Sequence, residues 1–193
     1  KTQQRRQDGF KAHIVVEPDT GLTTATRLTR ASGPDNSDAT VGADLVTTDP
    51  TTTDVENIEV LGDSAYATGD MLATLAGKQW LPLVKPWPTR PAVEGGFGLD
   101  DFTFDAAANT LTCPADVTRT VSPQGRAKFG AACRQCPLRQ RCTTSQSGRS
   151  VLLGEHHVLQ RQHRQRAQGE PAQHGHRLGP HATSSRCATH EAW

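Results

Sequence analysis

From Gln160 to Ala192 the chain holds a single Val, Ile, Leu or Met, Leu178, so any packed core has to be built from what comes before. A stretch this poor in aliphatics cannot bury enough apolar surface to offset the entropy of ordering it. The expected state of residues 155–193 is therefore a disordered tail. Seven of the eight His also fall between His156 and His190, among Arg, Gln, Gly and Pro. GC-rich DNA translated out of frame has this composition, and a frameshift near Gly154 to Val158 is the expected cause. The 193 residues then leave room for one core-bearing domain and a smaller appendage.

A formal net charge of +1 excludes a polyanion binder acting through net charge, so any nucleic-acid contact has to come from local patches. There is no run of 18 apolar residues and no basic-then-apolar leader. The expectation is a soluble, cytoplasmic protein without a membrane partner. In that compartment the five Cys serve as ligands or free thiols rather than disulfides.

Along the chain, Phe10 to Glu17 has strand character, Pro18-Asp19-Thr20-Gly21 is a turn, and Leu22 to Leu28 alternates Thr with apolar residues, which together predict a β-hairpin. Gly33 to Asp38 supplies turn and cap chemistry for a short helix with Ala39, Val41, Ala43, Leu45 and Val46 on one side. After a Thr- and Asp-rich loop, Thr47 to Glu56, the aliphatic run Ile58-Glu59-Val60-Leu61 reads as a buried strand ending at Gly62-Asp63. Thr68-Gly69-Asp70 opens a helix through Leu75 that Gly77 closes, and Trp80 to Lys85 is another strand. The order is mixed α/β. From Thr89 to Gly148 the chain is rich in Pro, Gly and Cys, with a hairpin in Phe102-Thr103-Phe104 and Thr110-Leu111-Thr112, as in an inserted module.

Asp63 stands where α/β folds place ligands, at the C-terminal end of an interior strand. On spacing alone, an Asp in a strand-to-helix turn is more often a cap. The run Asp8-Gly9-Phe10-Lys11-Ala12-His13-Ile14-Val15-Val16, followed by Pro18-Asp19-Thr20-Gly21 and later by Val60-Leu61-Gly62-Asp63-Ser64-Ala65-Tyr66, resembles DDE-type transposases of bacterial insertion sequences. Their blocks "DGYK-H" and "GDSAY" occur here in order, with Phe10 where Tyr is usual. The resemblance covers roughly residues 5 to 155.

It implies a partial ribonuclease-H-like mixed sheet with flanking helices over residues 9–88, a Cys-rich metal-binding insert over 89–154 and the disordered tail beyond. In such a domain three carboxylates hold two Mg²⁺ or Mn²⁺ ions that steady the entering and leaving oxygens of phosphodiester displacement. Asp63 corresponds to the second carboxylate. The first lies on a strand upstream of the hairpin, which this chain begins too late to include. The Glu lies on a basic helix after the insert, and neither Glu155, Glu170 nor Glu191 has helical apolar neighbours. No catalytic Glu is carried over. The resemblance further implies DNA as partner and oligomers on DNA.

Cys113, Cys133, Cys136 and Cys142 are spaced C-x19-C-x2-C-x5-C. Four thiolates so arranged can surround a tetrahedral Zn²⁺, and an iron–sulfur cluster or unmetallated thiols are the alternatives. Transposases of this branch are similar here, with "CP...FGA-C--CPLR--CTTS" matched by Phe129 to Cys133 and Cys136 to Ser145. Cys187 stands apart. Arg126, Lys128, Arg134, Arg139, Arg141 and Arg149 flank the cluster, and Arg134, Arg139, Arg141 and Lys11 are the candidate DNA contacts. An ordinary solvated face is the competing account of these charges. His13 is expected to be packed, and Trp80 and Trp87 to cap the core.

Two functions compete: a transposase, inactive as this chain alone, and a non-catalytic zinc-binding module for DNA or protein. An inert product is a third, weaker alternative.

Overall fold

The computed structural model describes residues 9–169 and, as a strand, 184–190. The described residues divide into two compact units, one made of those up to Trp87 with those from Val158 on, the other Pro88–His157. No helix among the described residues is long and apolar enough to cross a membrane.

The first unit opens with the expected hairpin, β1 (Phe10–Val16) antiparallel to β2 (Thr23–Arg30). In its turn the Glu17 carboxylate accepts the Asp19 and Thr20 amides at 3.0 and 2.8 Å, and Gly21 takes φ 72°, which a residue without Cβ adopts freely. Strand alternation sends His13 and Val15 to one face, both fully buried, while Phe10 and Leu28 stay exposed. The buried face is covered by α1 (Asp38–Thr48), which begins where the Ser37 hydroxyl accepts the Thr40 amide at 3.2 Å. Val41 and Leu45 of α1 pack with Val15, and Ala39 and Val46 pack with Ile58 and Val60. The polar loop after α1 is not merely solvated. Thr52 is fully buried and its hydroxyl donates to the Val46 carbonyl at 2.6 Å, while Asp49 accepts the Thr51 amide and hydroxyl at 2.8 and 2.7 Å. Short polar side chains here satisfy the backbone locally.

β3 (Glu59–Gly62) and β4 (Leu81–Val84) are parallel and joined by α2 (Gly69–Gly77). Thr68 caps α2 by accepting the Met71 amide at 3.3 Å, and Met71, Leu72 and Leu75 are buried. The helix stops at Gly77 as expected, but the left-handed residue that turns the chain is Gln79, at φ 58°.

The sequence leads one to expect this sheet without its central strand. Instead β10 (Ser184–His190) lies between β1 and β3, antiparallel to the first and parallel to the second, so that the order is β2-β1-β10-β3-β4. Ala188 stands opposite Ile14 and Ser185 beside Val60. A central strand is bonded through its backbone on both sides, a gain that needs no aliphatic side chains. This is a ribonuclease-H-like mixed sheet.

A second element also falls where composition predicts no order. α4 (His157–Gly169) is built largely from Gln, Arg and Ala, good helix formers, with His163 buried as its anchor. His163 Nε2 lies 2.9 Å from the Val84 carbonyl. Residues 170–183 and 191–193, for which disorder was also expected, lie outside the described residues, as do 1–8.

In the second unit β5 (Thr103–Asp105), β6 (Thr110–Thr112) and β7 (Thr118–Thr120) form an antiparallel sheet in which Phe104 faces Leu111 across the expected hairpin. β8 (Arg126–Lys128) pairs with β9 (Ser150–Leu152), and the single turn α3 (Arg139–Cys142) lies in the sequence between them. Phe102, Leu111, Val121, Ala127, Phe129, Val151 and Leu153 form the core, and Cys133 and Cys142 belong to it. A core of this size seldom holds a unit so small without a staple.

Candidate functional site

Asp63 leaves the C-terminal end of β3 and caps a 3-10 turn, Ser64–Tyr66: its Oδ1 accepts the Ala65 amide at 2.7 Å. The residues around it have structural reasons. A Cβ on Gly62 would stand 2.9 Å from Tyr66 Cδ2 and 3.2 Å from Val84 Cγ1, so only glycine lets the buried Tyr66 ring close over the strand end. The Ser64 carbonyl accepts the Trp87 indole N–H. Asp63 itself is exposed at the mouth of the parallel pair. Its geometry is thus that of a cap and, equally, of a carboxylate offered to solvent at the end of a strand.

The other members of a two-ion site are not gathered around it among the described residues. Among the described residues no three His, Cys, Asp or Glu side chains stand in a metal-holding arrangement. One exposed carboxylate with an oxygen engaged in a cap cannot by itself hold a pair of Mg²⁺ or Mn²⁺ ions, each of which needs several hard oxygens. Asp8, Glu170 and Glu191 lie outside the described residues, and Glu155 is exposed just ahead of α4. A basic helix does follow the Cys-rich unit, yet α4 contains no Asp or Glu.

The cysteines fare differently. Cys113 follows β6, Cys133 ends a 3-10 turn, Gly130–Cys133, Cys136 accepts the Arg139 amide through its carbonyl at 3.1 Å, and Cys142 ends α3. All four, Cys113 from well before the other three in sequence, line a single cavity of about 20 Å³ with Phe97, Val117, Phe129 and Leu138. That is room for one water-sized occupant. Burial pushes the Cys142 thiol up, Arg149 opposes this, and the other three cysteines add to it. The backbone amide of Arg149 donates to Cys133 Sγ at 3.4 Å. The four cysteines line a common space without standing in a coordinating arrangement. Donor set and space fit one Zn²⁺, which would draw the thiolates inward.

The basic candidates differ in availability. Lys11 is largely buried, and its ammonium bonds Asp38 at 2.9 Å. Arg139 donates to the Ser145 carbonyl at 3.2 Å, and the exposed Arg141 lies 4.5 Å over the Phe97 ring. Arg134 is exposed. His13 is fully buried with Nε2 3.0 Å from the Thr29 hydroxyl, the packed role expected of it. Trp80 is buried and donates to the Val55 carbonyl at 3.0 Å, whereas Trp87 is more than half exposed. The residue that sequence reasoning passed over is His163, whose only sign was its place four residues after Leu159 on a helix.

Two family models, each described as a transposase DDE domain, match the chain, one over residues 1–130 and the other over 112–188. The second spans the region near Gly154 to Val158 where the composition changes. No curated protein and no solved structure matches. A match over residues 1–130 covers most of the chain, and the chain belongs to the transposase DDE domain family.

Proposed function

We propose that this chain derives its function from DNA transposition, the metal-dependent cutting and joining of DNA strands at the ends of an insertion sequence, and that it is inactive by itself. Members of the family act on DNA and generally use divalent metal ions. The observation that carries the proposal is the position of Asp63: exposed, at the end of a β3 that runs parallel to both its neighbours, in a ribonuclease-H-like sheet. Asp63 is the one carboxylate this reading assigns to the metal-holding set. The described residues do not complete that set.

In the same proposal the Cys-rich unit is a zinc-folded knob whose Arg134, Arg139 and Arg141 contact phosphates, and the family's oligomers form on DNA. The common cavity of the four cysteines also favours a second reading, in which this unit binds DNA or protein and Asp63 only caps a turn. A strand-cleavage assay with Mn²⁺ on DNA bearing the element's ends, run with this chain and with Asp63→Ala, tests the catalytic part. The proposal expects cleavage by neither. Cleavage by both at equal rates removes Asp63 from catalysis, and cleavage lost with Asp63 refutes inactivity while keeping its role.

A further inference from the structure

The cavity among the cysteines is apolar, and four thiolates around a divalent zinc would place a net dianion in it. An anion in such surroundings is unfavourable unless a cation or hydrogen-bond donors face it. Of the residues lining the cavity two are basic, Arg139 and Arg149. Arg139 is turned to the Ser145 carbonyl. Arg149 is not so engaged: its Nε is buried and has no hydrogen-bond partner among the described residues, a costly state for a cationic group.

The backbone fixes Arg149 in place. The Arg149 carbonyl accepts the Phe129 amide at 2.9 Å, extending the β8–β9 pairing, and Gly148 at φ 89° packs against the Gly130 carbonyl where no Cβ would fit. The Phe102 ring lies 5.8 Å from the guanidinium carbon. From this position the same residue gives its amide to Cys133 Sγ and its charge to the cavity. We propose that Arg149 is a positioning residue for a thiolate-bound divalent metal, its guanidinium offsetting the dianion and its amide holding Cys133 Sγ in place by donating to it. This deepens the zinc reading of the Cys-rich unit and rests on it. Partners that lie just outside the ligands characteristically change metal affinity by about 10- to 100-fold.

The test is a Co²⁺ titration of the full chain in reducing buffer, followed by the thiolate-to-cobalt charge-transfer absorption, with zinc affinity taken from competition against a chelator. Three variants accompany the wild type: Arg149→Lys keeps the charge, Arg149→Met keeps the length without it, and Arg119→Gln removes an equal charge from β7, away from the cavity. The wild type should take up one Co²⁺ with a tetrathiolate spectrum. Arg149→Met should keep that spectrum and lose about tenfold or more in affinity, with Arg149→Lys between and Arg119→Gln unchanged. Should Arg149→Met fail to fold, the lysine variant decides: if it binds as tightly as the wild type, charge suffices, and if it loses about 100-fold, charge compensation is overturned. Equal affinities for the lysine and methionine variants also overturn it while the zinc reading stands. Absence of thiolate-to-cobalt absorption in the wild type removes the zinc reading and this inference with it.

Discussion

Replacing Gly62 by Ala probes the ground on which Asp63 stands. The added methyl would sit 2.9 Å from Tyr66 Cδ2 and 3.2 Å from Val84 Cγ1, both on buried side chains, 1 % and 4 % exposed. Neither neighbour can swing into solvent. Overpacking of this kind costs about 1–3 kcal/mol, with the Tyr66 clash placing Gly62→Ala in the upper half of that range. Urea unfolding followed by Trp80 fluorescence should show a lower midpoint at an unchanged slope, the sign of reduced stability rather than altered compactness. The clash has an identifiable partner, so Gly62→Ala combined with Tyr66→Leu should be less destabilised than the sum of the two, by about 0.5 kcal/mol or more. A single variant as stable as the parent, or additive effects in the double, would refute the account of this glycine as a steric necessity.

Three further outcomes are expected. Burial first, then nearby Lys11 and Arg27, hold the His13 pKa below the usual 6.5, although Asp38 opposes them, and burial with Arg166 and Arg164 does the same for His163 against the Val84 carbonyl. The unfolded chain therefore takes up protons first as pH falls below 6.5, and stability present above that value is lost toward the lower folded values, by at most about 1.4 kcal/mol per pH unit and group. Urea midpoints measured across this range should fall with pH, and His163→Gln should flatten the fall; a pH-independent midpoint would contradict the burial of both rings. Replacing Arg134, Arg139 and Arg141 together by Gln should reduce the slope of log affinity for DNA against log salt by about 0.9 for each phosphate left without its cation, as read by fluorescence anisotropy. Lys11→Gln, whose ammonium is held by Asp38, should lower the stability of its own unit while leaving that slope in place.

The legible parts of the fold were those whose side chains announce their burial. The period-2 stretch at Phe10, the cap and apolar stripe of α1, the Ile58 to Leu61 run and the Thr68 cap of α2 each combine local chemistry with a core-facing pattern. The hairpin at Phe104 and Leu111 belongs with them. β10 was hidden because a strand bonded on both sides is secured by backbone groups, which every residue possesses and no hydropathy pattern displays. α4 was hidden because one buried His, rather than an aliphatic stripe, fastens it. At the site, Asp63 at a strand end and the cysteines as a group were readable from spacing and motif. The place of Arg149 was not, since its amide reaches Cys133 through a glycine turn and strand pairing that appear only in three dimensions.

The central claim is that Asp63 belongs to a metal-holding set as well as capping a turn. Paramagnetic broadening by Mn²⁺ of backbone amide signals, recorded on the full chain with DNA carrying the element's ends, addresses it directly. The account predicts that Ser64 and Ala65 broaden first and that Asp63→Asn abolishes the effect. Broadening there that survives Asp63→Asn, or none at Ser64 and Ala65 while Mn²⁺ binds elsewhere, would contradict it.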